Sequence, residues 1–157
     1  ANDFGNVINR ITILIEKHFD GLCPEPGSYD KDELLIISKA KNIPTAMEKN
    51  IINMKLHDAI ENAMSLIRLI NKYLEMKKPW KLLKEDKRAK SPASTCLYLA
   101  AEILRISTIL LSPIMPTKTK LTLKALSQDN ETSSEFGLLK PKSRIYNPGA
   151  LFPRIEI

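Results

Sequence analysis

Apolar residues recur at helical spacing from the start of the chain. Phe4, Val7, Ile8, Ile11, Leu14 and Ile15 follow an i, i+3, i+4, i+7 series. At about 100° per residue this is one stripe of an amphipathic helix, predicted over Asn2 to His18. Asn6, Asn9, Arg10 and Lys17 fall on the opposite face, with Ile13 among them. Asn6 and Arg10 are one turn apart, so their side chains project side by side. That face fits either plain solvent exposure or a surface meeting a partly apolar partner.

The residues from Phe19 to Tyr29 carry turn chemistry in Asp20-Gly21 and Pro24-Glu25-Pro26-Gly27-Ser28 and end the helix. Asp30 or Asp32 can cap a second helix whose apolar side begins at Leu34, Leu35, Ile36 and Ile37. Pro44 predicts a kink or break in it before it resumes to about Met54. A third helix is predicted from Leu56 to Lys78, with Ala59, Ile60, Ala63, Met64, Ile67, Ile70 and Leu74 inward, and Pro79 as its stop. Lys81 to Lys90 reads as a basic connection with room for a helical turn. Ser91-Pro92 is an N-cap followed by proline at the first helical position. The helix after it is apolar on almost every side as far as Leu111, and Glu102 and Arg105, three apart, can pair within it. Pro113 and Pro116 bracket a tight connection, and Thr117 is expected to cap a last helix to about Leu126. Residues 1–127 thus predict an all-α helical bundle. Residues 128–157 predict a loop and an extended C-terminal tail packed on or near it, since Gly137, Pro141, Pro148, Gly149 and Pro153 exclude another long helix.

Composition narrows the class. With 157 residues, 43% apolar and 27% charged, the chain has room for one core and is too apolar for a disordered segment. Cys23 and Cys96, the 2 cysteines, form no CxxC pair, which fits a reducing cytosol. The apolar run from Cys96 to Leu111 is short for a membrane span and contains Glu102 and Arg105, so a buried bundle helix is expected and no membrane partner. The chain opens at Ala1 on residues that already read as helix, which predicts a segment cut from a longer protein.

Charge is where the sequence becomes informative. The formal net charge is +6, and Arg68 to Lys90 accounts for that excess through Arg68, Lys72, Lys77, Lys78, Lys81, Lys84, Lys87, Arg88 and Lys90 against Glu75, Glu85 and Asp86. The 1 tryptophan, Trp80, lies inside this stretch directly after Pro79. An aromatic among lysines just past a helix end suits stacking on an unpaired base beside neutralised phosphates. It also suits a core Trp anchoring a helix corner. His18 and His57 stand alone, without zinc-ligand spacing, and there is no Gly-rich phosphate loop or nucleophile elbow, so no metal site and no catalysis are expected here. What remains is Asn6/Arg10, able to hydrogen-bond a base edge, and Trp80, able to stack on its face.

Several signatures occur together and in order: Asn6-Val7-Ile8-Asn9-Arg10, Lys78-Pro79-Trp80-Lys81-Leu82, Leu110-Leu111-Ser112-Pro113-Ile114-Met115-Pro116, and Leu151-Phe152-Pro153-Arg154-Ile155. With them the chain resembles, over nearly its whole length, the C-terminal anticodon-binding domain of methionyl-tRNA synthetases. The resemblance implies a helical bundle of the class I aminoacyl-tRNA synthetase anticodon-binding type. It also implies that Asn6 and Arg10 contact the first anticodon base, a cytosine, that Pro79 places Trp80, and that Trp80 stacks in the anticodon loop. Lys72, Lys77, Lys78, Lys81 and Lys84 would supply backbone electrostatics. The implied partners are methionine tRNA and an N-terminal catalytic domain using ATP and magnesium, neither of them held by this segment. Lys78 departs from the small residue that often precedes the Pro-Trp pair, and Asp129 to Asn147 matches no family pattern. On the residues alone, a helical protein-interaction module with a basic face and the tRNA-binding domain of another class I synthetase remain alternatives.

Overall fold

The computed structural model of the chain describes residues 2–156, so Ala1 and Ile157 lie outside the described residues. The elements are α1 (Asn2–Phe19), α2 (Lys31–Ile52), α3 (Leu56–Lys77), α4 (Pro79–Glu85), α5 (Pro92–Leu111) and α6 (Pro116–Ala125). No strand occurs among the described residues; one isolated antiparallel bridge joins Leu22 to Arg144. The hub is α5, which packs most extensively on α3 and also meets α1, α2, α4 and α6. Its side chains are buried all round, including Leu97, Leu99, Ile103, Leu104 and Ile106. The α1 stripe of Phe4, Val7, Ile8, Ile11 and Ile15 is fully buried against this hub and α3, while Ile13 is exposed on the polar side.

The helix boundaries follow local chemistry. Asp30 caps α2 by accepting from the Glu33 N–H at 2.8 Å, and the Glu33 carboxylate accepts from the Asp30 N–H at 3.1 Å, a reciprocal capping box. Ser91 caps α5 and Pro92 opens it. The last helix is the exception: Met115 is its N-cap, without a side-chain cap bond, and Pro116 rather than Thr117 opens it. Proline's fixed φ suits the first helical position, which leaves Thr117 inside the helix.

Of the kink or break expected at Pro44, no break occurs: α2 runs unbroken from Lys31 to Ile52 with Pro44 inside it. An interior proline costs about 3 kcal/mol through the lost hydrogen bond and the clash with the carbonyl four residues back. Burial of Ile36, Ile37, Ala40 and Met47, on both sides of Pro44, anchors both halves of the helix against α3.

Beyond α6 the chain wraps back over the bundle. Leu139, Ile145 and Leu151 are buried, and Phe152 packs edge-on against Phe4 with ring centroids 6.2 Å apart. Glu102 and Arg105, both fully buried, do pair at 2.7 Å, and they also fasten this tail. The Glu102 carboxylate accepts from the N–H groups of Gly137 (2.7 Å), Leu138 (3.2 Å) and Leu139 (3.1 Å). Arg105 donates to the carbonyls of Ser133 and Glu135. Both members of this buried pair are therefore hydrogen-bonded beyond each other, as burial of charge requires. A second seam joins Gly21–Cys23 to Lys142–Ile145; there Gly21, at φ +71°, lies where an added Cβ would come within 3.1 Å of the Ile145 carbonyl.

Candidate nucleic-acid interface

The corner between α3 and α4 is made by one residue. Lys78 adopts the left-handed conformation (φ 51°, ψ 63°), serving at once as C-cap of α3 and N-cap of α4. Such a conformation costs a non-glycine residue on the order of 1–2 kcal/mol. Its N–H closes α3 on the Leu74 carbonyl, and Pro79 takes the first position of α4, where no N–H is needed. The expected connection of Lys81–Lys90 is thus helical in its first half. On α4, Pro79 and Leu83, one turn apart, are buried and form the wedge that seats it. Trp80 is carried on the outer side, half-buried, so it is not the core anchor that its size allowed.

Arg10 reaches this tryptophan from α1. Its guanidinium carbon lies 5.3 Å from the centroid of the Trp80 ring, a cation–π contact, and its Nη2 donates to the Glu75 carboxylate of α3 at 2.7 Å. Beside it, α1 and α3 enclose an open cleft of about 460 Å³ lined by Asn6, Asn9, Arg10, Asn71, Lys72 and Glu75. Asn6 is exposed on its rim. The structure therefore brings Asn6, Arg10 and Lys72 to one cleft, with Trp80 bordering it through Arg10. Asn71 and Glu75 were missed by sequence reasoning. Their signal is the α3 face itself: Asn71 and Glu75 are four apart, and both sit beside Lys72.

Charge at this surface divides into paired and unpaired cations. Lys77 is partly buried and bound to Asp30, with Glu33 3.9 Å away, so its charge is compensated inside the fold. That hydrogen bond from Lys77 holds the Asp30 carboxyl below the usual carboxylate range. Glu33, buried, also accepts from the Tyr73 hydroxyl at 2.6 Å, tying the start of α2 to the last turns of α3. Arg68 pairs with Glu61, Arg88 with Asp86 and Lys90 with Glu25. Among the described residues of the basic stretch, Lys72, Lys78, Lys81, Lys84 and Lys87 have no ion-pair partner, and all are exposed. Burial, and then the charge of Lys87, lower the pKa of His18 at the end of α1. An anion approaching α3 and α4 would meet the ammonium groups of Lys72, Lys78, Lys81 and Lys84 and a face of indole and guanidinium.

Comparison with known proteins agrees with this geometry. A family model described as an anticodon-binding domain of tRNA ligase matches residues 33–139, a span that holds Trp80 and lies downstream of Asn6 and Arg10. The methionine–tRNA ligase of Caldanaerobacter subterraneus subsp. tengcongensis is 36% identical over 100% of this chain, and that of Methanosphaera stadtmanae 33% identical over 83%. The chain corresponds to 25% and 19% of their respective lengths. The crystal structure of the apo form of Mycobacterium tuberculosis methionyl-tRNA synthetase superposes with a TM-score of 0.91 at 27% identity, over 100% of this chain and 32% of that one. The chain belongs to the anticodon-binding domain family of tRNA ligases, and the relatives it matches from α1 through the tail are methionine–tRNA ligases.

Proposed function

We propose that this chain reads the CAU anticodon of methionine tRNA on behalf of a cytosolic methionine–tRNA ligase whose catalytic domain precedes it. The observation that carries the reading is the meeting of Arg10 and Trp80 at 5.3 Å beside a cleft that Asn6 also lines. An unpaired base needs a face to stack on and an edge to bond, and one corner here offers both. Trp80 supplies the face once a base displaces or joins Arg10. Asn6 and Arg10 supply donors for the carbonyl of cytosine, and the Asn6 amide oxygen or Glu75 can accept from its exocyclic amine. The unpaired lysines hold the phosphates on either side without reading sequence.

Methionine activation with ATP and magnesium belongs to the catalytic part of such a ligase. Among the described residues no group of three or more His, Cys, Asp or Glu side chains is arranged to hold a metal ion. No step of that chemistry is assigned to residues 2–156.

The test is titration of the chain with RNA hairpins that differ only in the anticodon. A hairpin carrying CAU should bind at least about tenfold more tightly than one with the cytosine replaced, the worth of one well-made base contact. Equal affinity for all anticodons would instead favour a basic protein- or RNA-binding module without base readout. Preference for an unrelated anticodon would place the chain with another tRNA ligase.

A further inference from the structure

The tail is tied to a residue of the cleft through the side chain of Asn147. Asn147 is bonded at every polar group of its side chain. Its Oδ1 accepts from the Gly149 N–H at 2.8 Å, and its Nδ2 donates to Asn9 Oδ1 at 3.0 Å and to Thr12 Oγ1 at 2.9 Å. Its own N–H is held by Glu16 of α1 at 2.7 Å. None of these orientations is arbitrary. A backbone N–H can only donate, so the Asn147 oxygen must face Gly149 and its nitrogen must face α1. The buried Thr12 hydroxyl spends its proton on the Ile8 carbonyl at 2.7 Å, so toward Asn147 it can only accept. Asn9 must accept as well, and its amide oxygen is therefore committed to the tail. Its amide nitrogen has no acceptor among the described residues, and Asn9 lines the cleft together with Asn6 and Arg10.

We infer that Asn9 is a further base-reading side chain of this cleft, a fixed donor directed at an acceptor edge such as cytosine N3, and that Asn147 is the positioning residue that fixes it. The inference rests on the anticodon-reading function proposed above and deepens it. Without Asn147 the Asn9 amide could turn over and present either end. Uracil carries N3–H where cytosine has a lone pair, so a locked donor rejects uracil while a freely turning amide accepts both. The tail, although remote in sequence, thereby becomes part of the discrimination between pyrimidines.

Two substitutions test this by opposite routes. Asn9→Asp keeps the bond from Asn147 and turns an acceptor toward the cleft. Asn147→Asp keeps the bond from Gly149 but faces Asn9 with an acceptor, so the Asn9 amide turns and presents its oxygen. With anticodon hairpins carrying CAU and UAU, each variant should lower the cytosine-over-uracil affinity ratio by about tenfold, as expected for one hydrogen bond replaced by two opposed acceptors. Thermal melting separates this from unfolding. The carboxylate introduced by Asn147→Asp would lie near Glu16 and can lower the melting point, whereas Asn9→Asp leaves that contact untouched and carries the test if Asn147→Asp does not fold. A folded Asn9→Asp variant that keeps the parent ratio overturns the inference. A parent chain with no cytosine preference overturns the anticodon-reading function itself, a separate outcome visible before any variant is made.

Discussion

The guanidinium of Arg10 covers the indole of Trp80 at 5.3 Å, although the two sit on different helices and neither is in the core. The contact joins α1 to α4 across the end of α3. Because Trp80 is the 1 tryptophan, its emission reports on that joint alone. Arg10→Ala should expose the ring to water, shift the emission to the red and lower the preference for cytosine at the first anticodon position. Unchanged emission would mean that Arg10 does not cover the ring in solution.

Trp80→Ala should weaken hairpin binding by about 1–3 kcal/mol, the usual worth of one aromatic–base stack. Far-UV circular dichroism should stay as in the parent, because Pro79 and Leu83 rather than Trp80 seat α4. Loss of helix content in this variant would make Trp80 a core residue after all.

The lysines should separate into two groups. Replacing Lys72, Lys78, Lys81 or Lys84 by Ala should flatten the dependence of log K on log salt by about 0.7–0.9 each, with base preference intact. Lys77→Ala should leave the salt dependence alone and lower the unfolding midpoint instead, because its charge is committed to Asp30 and Glu33. Salt titrations of the single variants distinguish the two groups.

Glu102→Ala would strand Arg105 in the core and orphan the N–H groups of Gly137, Leu138 and Leu139. Removing one partner of a buried ion pair costs about 3–5 kcal/mol. Urea unfolding should register that loss, and hydrogen exchange should rise first across residues 133–139. Exchange rising evenly over the bundle would show that the pair does not fasten the tail.

Acid should loosen the start of α2. The Asp30 carboxyl is held below its ordinary value by the hydrogen bond from Lys77. A depressed carboxylate contributes stability that is fully present above its unfolded value, about 3.9, and is lost as pH falls through the folded one. Asp30→Asn retains a capping side chain but removes the charge. Its unfolding midpoint should therefore fall less than the parent's between about pH 5 and about pH 3. Parallel acid profiles would assign the acid sensitivity to another group.

The helices were legible because their signals are local. The α1 stripe, the Ser91-Pro92 start of α5 and the Pro79 stop each depend on residues within a turn or two. The continuity of α2 through Pro44 was illegible for the opposite reason: the local cost of the proline is real, but packing against α3, invisible in the segment itself, outweighs it. The candidate site divides in the same way. Asn6, Arg10 and Trp80 came from short motifs, whereas Glu75 and Asn71 depend on which face of α3 meets α1. Lys77 looked like one more surface cation because its partner, Asp30, is 47 residues away, and Asn147 lies 138 residues from Asn9. Pairings at such separations leave no periodic trace in a single sequence.

The latch in α5 also bears on the cost of placing that helix in a membrane. This helix is 20 residues long, an 18-residue window within it has a mean hydropathy of 1.5, and Glu102 and Arg105 are its sole ionic groups. Exchanging both for aliphatic side chains would leave an uncharged stretch of the length that insertion machinery recognises as a span. The same two side chains that moor the tail would thus each add about 2.5–3.5 kcal/mol to the cost of placing this helix across a bilayer.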